Sequence, residues 1–170
     1  VAISGDGNIV VSLADFTAFT YTRILVGGLW LQRTTSILLP SWYDITLSQY
    51  SLRTMALSAD GKVLVIGAWY YTFIYDRIGN DWIFNTDSFG INISNGISPL
   101  AISADGSIIA IGQRSTGGAS SSGFCRIIQR DIVGTWVLVN TIATTLVDAS
   151  GNFGTTVALS GDGSTIAIAS

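Results

Sequence analysis

Apolar and polar positions along this chain fall into a pattern that occurs four times. Gap-free segments starting at Val1, Met55, Leu100 and Val157 each read apolar-Ala-apolar-Ser-small-Asp-Gly-polar and then enter a second apolar run. The shared aspartates, Asp6, Asp60, Asp105 and Asp162, stand 54, 45 and 57 residues apart. That period is far too long for a leucine-rich or hexapeptide solenoid and fits one supersecondary unit of several strands. Asp-Gly between two apolar runs is a strong hairpin signal, because Gly supplies a positive φ without steric cost and Asp bonds nearby backbone N–H groups. The pairs Asp6-Gly7, Asp60-Gly61, Asp105-Gly106 and Asp162-Gly163 are therefore expected to be structural turns, each joining a strand A to a strand B. The runs Val63 to Ile66, Ile108 to Ile111 and Ile166 to Ala169 are apolar throughout rather than alternating, as strands covered on both faces require.

The remainder of each repeat aligns more loosely. An alternating stretch ends in Arg23, Arg77 or Arg130, a Gly-containing turn follows, and Trp30, Trp82 or Trp136 opens the next stretch. This second hairpin supplies strands C and D. Four strands per repeat is the blade of a β-propeller, so the expected fold is all-β: about three four-stranded blades plus half a blade. The blades are expected at 1–53, 54–98 and 99–155, with the first hairpin of a fourth at 156–170, and no internal domain boundary. The chain starts inside a strand A and stops after a strand B. A fragment or processed piece is the expectation, with further blades or subunits completing the ring.

The residues also carry a resemblance. Phe153-Gly154 just before the fourth copy, together with the Tyr-x-Arg strand and Gly-x-Trp turn of earlier copies, resembles the FG-GAP repeats of integrin-α-like propellers. The divergent arrays of bacterial surface and giant-virus proteins are the nearer likeness. Phe-Gly survives in one copy only. Ala56-Leu57-Ser58-Ala59-Asp60-Gly61-Lys62 also looks like the turn of a WD40 repeat, although the Trp-Asp dipeptide of that type is missing after strand C. The resemblance implies a non-enzymatic structural or protein-interaction module within an extracellular, cell-surface or virion-associated assembly. Integrin-like repeats also suggest a calcium-dependent adhesion head as an alternative.

Composition changes this picture mainly by exclusion. The 170 residues are 48% hydrophobic and only 11% charged, with 19 Gly, no Glu, no His and a single lysine, Lys62. Few helix formers remain, so almost no helix is expected. A net charge of −3 and scattered arginines give no basic stripe for phosphates, which argues against nucleic-acid binding. No apolar run reaches the roughly 18 to 20 residues of a membrane-spanning helix, so no membrane insertion is expected. The single Cys125 leaves the redox compartment open.

Without His there is no His-based triad or zinc site, and no metal or cofactor is expected. Each Ser-x-Asp-Gly turn offers one carboxylate, too few for calcium, which takes six to eight oxygens. A paired-carboxylate glycosidase remains formally open among Asp44, Asp76, Asp81, Asp87 and Asp148, with nothing to single out a pair. The recurring Arg and Trp are read as contacts within one blade, the Arg stem over the Trp. Aromatics that break the repeat are Trp42 and Tyr43 after the first blade and Trp69, Tyr70 and Tyr71 at a B to C turn. Clustered loop aromatics suit a partner or ligand contact, so a glycan-binding propeller is the competing reading. Asn92-Ile93-Ser94 matches a glycosylation sequon.

Overall fold

The computed structural model describes residues 1–14, 17–24, 27–32, 36–37, 39–40, 54–68, 71–86, 98–113, 123–143 and 153–169. Among them there is no α-helix, and fourteen strands account for the regular structure. Three antiparallel sheets hold four strands each, in sequence order. The first is β1 (Ala2–Ile3), β2 (Ile9–Ala14), β3 (Thr17–Arg23) and β4 (Trp30–Gln32). The second is β5 (Thr54–Leu57), β6 (Val63–Gly67), β7 (Thr72–Ile78) and β8 (Asp81–Phe84). The third is β9 (Leu100–Ile102), β10 (Ile108–Gln113), β11 (Phe124–Arg130) and β12 (Trp136–Ala143). A two-stranded sheet follows, β13 (Thr156–Leu159) with β14 (Ile166–Ala169).

Register follows the repeat. Val10 faces Tyr21 and Ser12 faces Phe19 in the first sheet, just as Leu64 faces Tyr75 and Ile66 faces Phe73 in the second. Because side chains alternate along a strand, each sheet has one face toward the preceding repeat and one toward the following repeat. Ile9, Val11, Ala18 and Ile37 of the first sheet pack against Leu64, Ile66, Phe73 and Tyr75 of the second. Val63, Val65 and Ile74 on the other side of the second sheet meet Ile109, Ile111, Ile128 and Trp136 of the third. Ala110 and Cys125 then meet Val157, with Ile166 and Ile168 partly covered.

The sheets therefore stack face to face, and the middle one is closed on both sides: β6 is buried over its whole length. Burying four such aliphatic side chains from Val63 to Ile66 contributes on the order of 1.5–3 kcal/mol each. β14 differs from its expectation. Ile166 and Ile168 are half-buried while Ala167 and Ala169 are exposed, because a sheet stacks on only one of its faces.

First strands touch across sheet boundaries, β1 with β5, β5 with β9 and β9 with β13, whereas the fourth strands make no comparable contact with one another. The stack thus fans outward from an inner edge of first strands.

Candidate functional site

At one end of the inner edge, the four repeated turns join each first strand to the second. Gly7, Gly61, Gly106 and Gly163 donate their N–H to the carbonyls of Ser4, Ser58, Ser103 and Ser160 at 2.9–3.0 Å. The tight turn therefore spans Ser-x-Asp-Gly with Asp-Gly at its third and fourth positions, where Gly is favoured after a type I turn. This differs from a two-residue Asp-Gly hairpin, and the serine is the reason. Its N–H donates to the carbonyl of the residue five places on, 2.9 Å in every copy, and its hydroxyl accepts the N–H of that same residue. The hydroxyl proton goes to Oδ1 of the Asp two places on, at 2.6 or 2.7 Å. That Oδ1 also accepts the backbone N–H of Asn8, Lys62, Ser107 or Ser164. Ser4, Ser58 and Ser103 are buried, so these bonds satisfy groups that would be costly to leave unpaired.

The electrostatics follow. The Ser160 hydroxyl, then the Ser164 N–H and hydroxyl, lower the Asp162 carboxyl from 3.8 to about 2, and the corresponding Ser4 and Ser103 hydroxyls lower Asp6 and Asp105. Such carboxylates stay ionised at neutral pH and have no proton to give as general acids. Among the described residues no three acidic or cysteine side chains gather as metal ligands would. Of the other aspartates, Asp76 bonds Arg130 Nη2 at 2.6 Å and Asn85 Nδ2 at 2.9 Å, and Asp81 opens β8 in an exposed position. Asp44, Asp87 and Asp148 lie outside the described residues.

Successive turns are linked by backbone bonds: Gly5 N–H to the Ala59 carbonyl (2.8 Å), Asp60 N–H to Ala104 (3.2 Å) and Ala104 N–H to Gly161 (2.8 Å). Each donor belongs to the earlier repeat. The turn glycines seat against the preceding sheet. A Cβ on Gly61 would stand 2.5 Å from Ile9 Cδ1, one on Gly106 2.6 Å from Val63 Cγ2, and one on Gly163 2.5 Å from Ile108 Cδ1. The same atom on Gly7 would meet nothing within 4 Å.

Of the five repeat-breaking aromatics, Trp42, Tyr43, Trp69 and Tyr70 lie outside the described residues, as does the sequon. Tyr71 is half-buried and stacks on Phe73, ring centroids 6.2 Å apart, at the rim of the first core. The Arg and Trp pairs behave in two ways at once. Within the third blade the Arg130 guanidinium lies 5.4 Å from the Trp136 ring centre, an intrablade contact. The Trp side chains also serve the seams: Trp82 Nε1 donates to Thr20 Oγ1 of the preceding sheet at 2.9 Å, and Trp136 lies in the core between second and third sheets. Sequence reading missed this cross-sheet role and the Asp76–Arg130 bridge, since both depend on stacking and only the recurrence of Arg and Trp hints at them.

Also unforeseen is an apolar outer rim. Leu31, Ile83 and Val137 occupy one position on the fourth strands at 50%, 50% and 38% exposure. Leu29, Ile78, Ile132 and Val133 stand exposed at the tips of the hairpins leading into those strands.

The sequence matches no established family profile and no curated protein. Solved structures do resemble it. One is a candidate 6-phosphogluconolactonase from Bacteroides uniformis, 11% identical, TM-score 0.57, matched over 89% of this chain and 44% of that one. Another is a protein of unknown function from Desulfotomaculum acetoxidans, 15% identical, TM-score 0.60, over 99% of this chain and 47% of that one. The chain spans about half the length of each. Together with the fanned four-stranded sheets, the likeness defines an all-β protein of β-propeller architecture.

Proposed function

We propose that this chain is a non-enzymatic propeller module that works by binding other proteins, within a larger extracellular, surface or virion-associated assembly. The observation that supports it is the outer rim, where each complete blade offers an exposed apolar side chain at the equivalent positions Leu31, Ile83 and Val137. Isolated exposed aliphatics need no explanation, but a position repeated in register across neighbouring blades forms a stripe of the kind that marks contact surfaces. A chain only 11% charged has little other means of protecting that stripe than a partner. The recurrent polar groups are meanwhile occupied within the Ser-x-Asp-Gly turns. The likeness of Phe153-Gly154 and of the Tyr-x-Arg strands to FG-GAP repeats agrees with an adhesion or scaffold role.

The test has two arms. A photo-crosslinking residue replacing Ile132 should join the chain to a protein partner in its native assembly, while the same residue replacing Lys62 at the inner edge should not. The purified chain should leave 6-phosphogluconolactone hydrolysis at its spontaneous rate. Catalysed hydrolysis, or a rim that never crosslinks to protein, would overturn the reading.

A further inference from the structure

The fourth strand of each complete sheet is its outer edge, and among the described residues no strand lies beyond it. Such an edge offers unpaired backbone N–H and C=O groups to any extended chain that reaches it, and short length or a charged side chain is the usual protection. β4 is three residues long and ends in Gln32, and β8 is four residues long and opens with Asp81. β12 has neither protection. It runs eight residues, Trp136–Ala143, without a charged side chain, and Val137, Leu138 and Val139 stand exposed at 38%, 58% and 51%. Consecutive strand residues point to opposite faces, so this aliphatic run is not one face turned toward a core.

Backbone geometry locates the open part of the edge. Asp131 N–H donates to the Thr135 carbonyl across the hairpin, while Arg130 N–H donates to the Ser107 carbonyl on the other side of β11, both at 2.9 Å. Trp136 stands opposite Arg130, Val137 opposite Gln129 and Leu138 opposite Ile128. Hydrogen-bonding direction alternates along an antiparallel pair, so the N–H and C=O of Trp136 and Leu138 point away from β11, toward the free side. Further along, the edge closes. The register shifts between Ile127 and Ile128, which leaves Val139 as a bulge, and Asn140 Oδ1 takes up the Thr141 N–H at 2.8 Å. A bulge and a capped N–H both discourage pairing, so the open edge is Trp136 to Val139 with Leu138 at its centre.

We infer that this edge pairs antiparallel with β12 of a second copy of the chain, about a two-fold axis at Leu138. The occupant follows from the edge. Outward N–H and C=O groups at alternate residues call for an extended strand. Because β12 carries no charge, it faces itself without like-charge repulsion. The two-fold gives the Leu138 N–H of each copy the Leu138 carbonyl of the other, with Val137 and Val139 to either side, and a self-complementary contact of this kind is the commonest way soluble chains form dimers. The fan carries β12 away from β8, so no described neighbouring strand stands in the way. This rests on the interaction reading above and names one partner within it. A single strand pair buries less than the roughly 1,200 Å² of a standard interface, so the association is weak and reversible.

Sedimentation of the purified chain over a concentration series up to about 1 mM tests this. The wild type should show monomer and dimer in equilibrium, with hydrogen exchange at the Leu138 N–H slowing as concentration rises. Leu138→Lys and Leu138→Glu replace an exposed side chain, so each should keep its circular dichroism yet dimerise at least ~10-fold more weakly, since like charges then stand directly opposite. An equimolar mixture of the two should dimerise more tightly than either alone, because residue 138 meets itself across the axis. Ile83→Lys, at an exposed aliphatic of β8, should dimerise as the wild type does. A wild type that stays monomeric overturns the inference and leaves the edge to a strand of another protein. So does a dimer indifferent to charge at position 138, or a mixture that fails to recover. None of these outcomes alters the rim crosslink at position 132 in the native assembly, which tests the broader reading separately.

Discussion

At the residue scale, the serine of each repeated turn matters as much as the Asp-Gly that makes the turn visible. Ser103 is fully buried, and its hydroxyl takes the Ile108 N–H and gives its proton to Asp105. Replacing it by Ala leaves that N–H without its acceptor, so Ser103→Ala should cost about 1–3 kcal/mol in denaturant unfolding. A wild-type midpoint in that variant would refute the assignment. The carboxylates of Asp6, Asp105 and Asp162 have folded pKa values below the unfolded one, so their contribution is present above pH 3.8 and is lost as pH falls through the folded values, about 2 for Asp162. Acid unfolding followed by fluorescence should thus show a plateau down to roughly pH 4 and a decline below it. In NMR titration, Ser160→Ala should move Asp162 upward toward 3.8. Glycine substitutions separate backbone strain from crowding. Gly7→Ala and Gly106→Ala share a positive φ, 68° and 73°, and a left-handed residue costs about 1–2 kcal/mol in either case. Only Gly106→Ala also drives a methyl into Val63, so it should be the more destabilising of the two in a protein that is monomeric under the assay.

At the scale of strands and sheets, indole pairs at equivalent positions make unequal contributions. Trp82 Nε1 bonds Thr20 across the first seam, while Trp136 Nε1 is buried and has no hydrogen-bond partner among the described residues. Trp82→Phe should therefore lose about 1 kcal/mol of hydrogen bonding that Trp136→Phe does not, read from paired unfolding curves. Equal losses would show that ring packing alone sets the cost. The strands themselves were legible in the sequence because Ser-x-Asp-Gly marks the first hairpin of every repeat and Gly before Trp marks the second. What escaped reading is the relation between repeats. Asp76 to Arg130 and Trp82 to Thr20 join residues 54 and 62 positions apart, and no local pattern encodes which face of one sheet meets which face of the next. The exposed rim was hidden for a related reason: Leu31, Ile83 and Val137 look like core residues until the face of the outer strand opposite the indoles is seen to be open. The Trp and Tyr residues at 42, 43, 69 and 70 fall outside the described residues, and Tyr71 alone shows that an aromatic in such a turn can serve packing.

At the scale of the molecule, stability should grade along the stack, because in a repeat array each unit is held by its neighbours. The second sheet has a seam on both faces and the last has one. Hydrogen exchange of the isolated chain should be slowest from Val63 to Ile66 and from Phe73 to Tyr75, and fastest in β14. Uniform protection would mean that the sheets unfold together and not as a graded series. Cys125 lies in the last seam, fully buried, with burial pushing its thiol up to about 11. A thiolate is the reactive form, so alkylating reagents should find this sulfur only when the third and fourth sheets part. The chain carries its own chronometer for that event: one native cysteine whose labelling rate in neutral buffer counts how often the terminal hairpin lifts away.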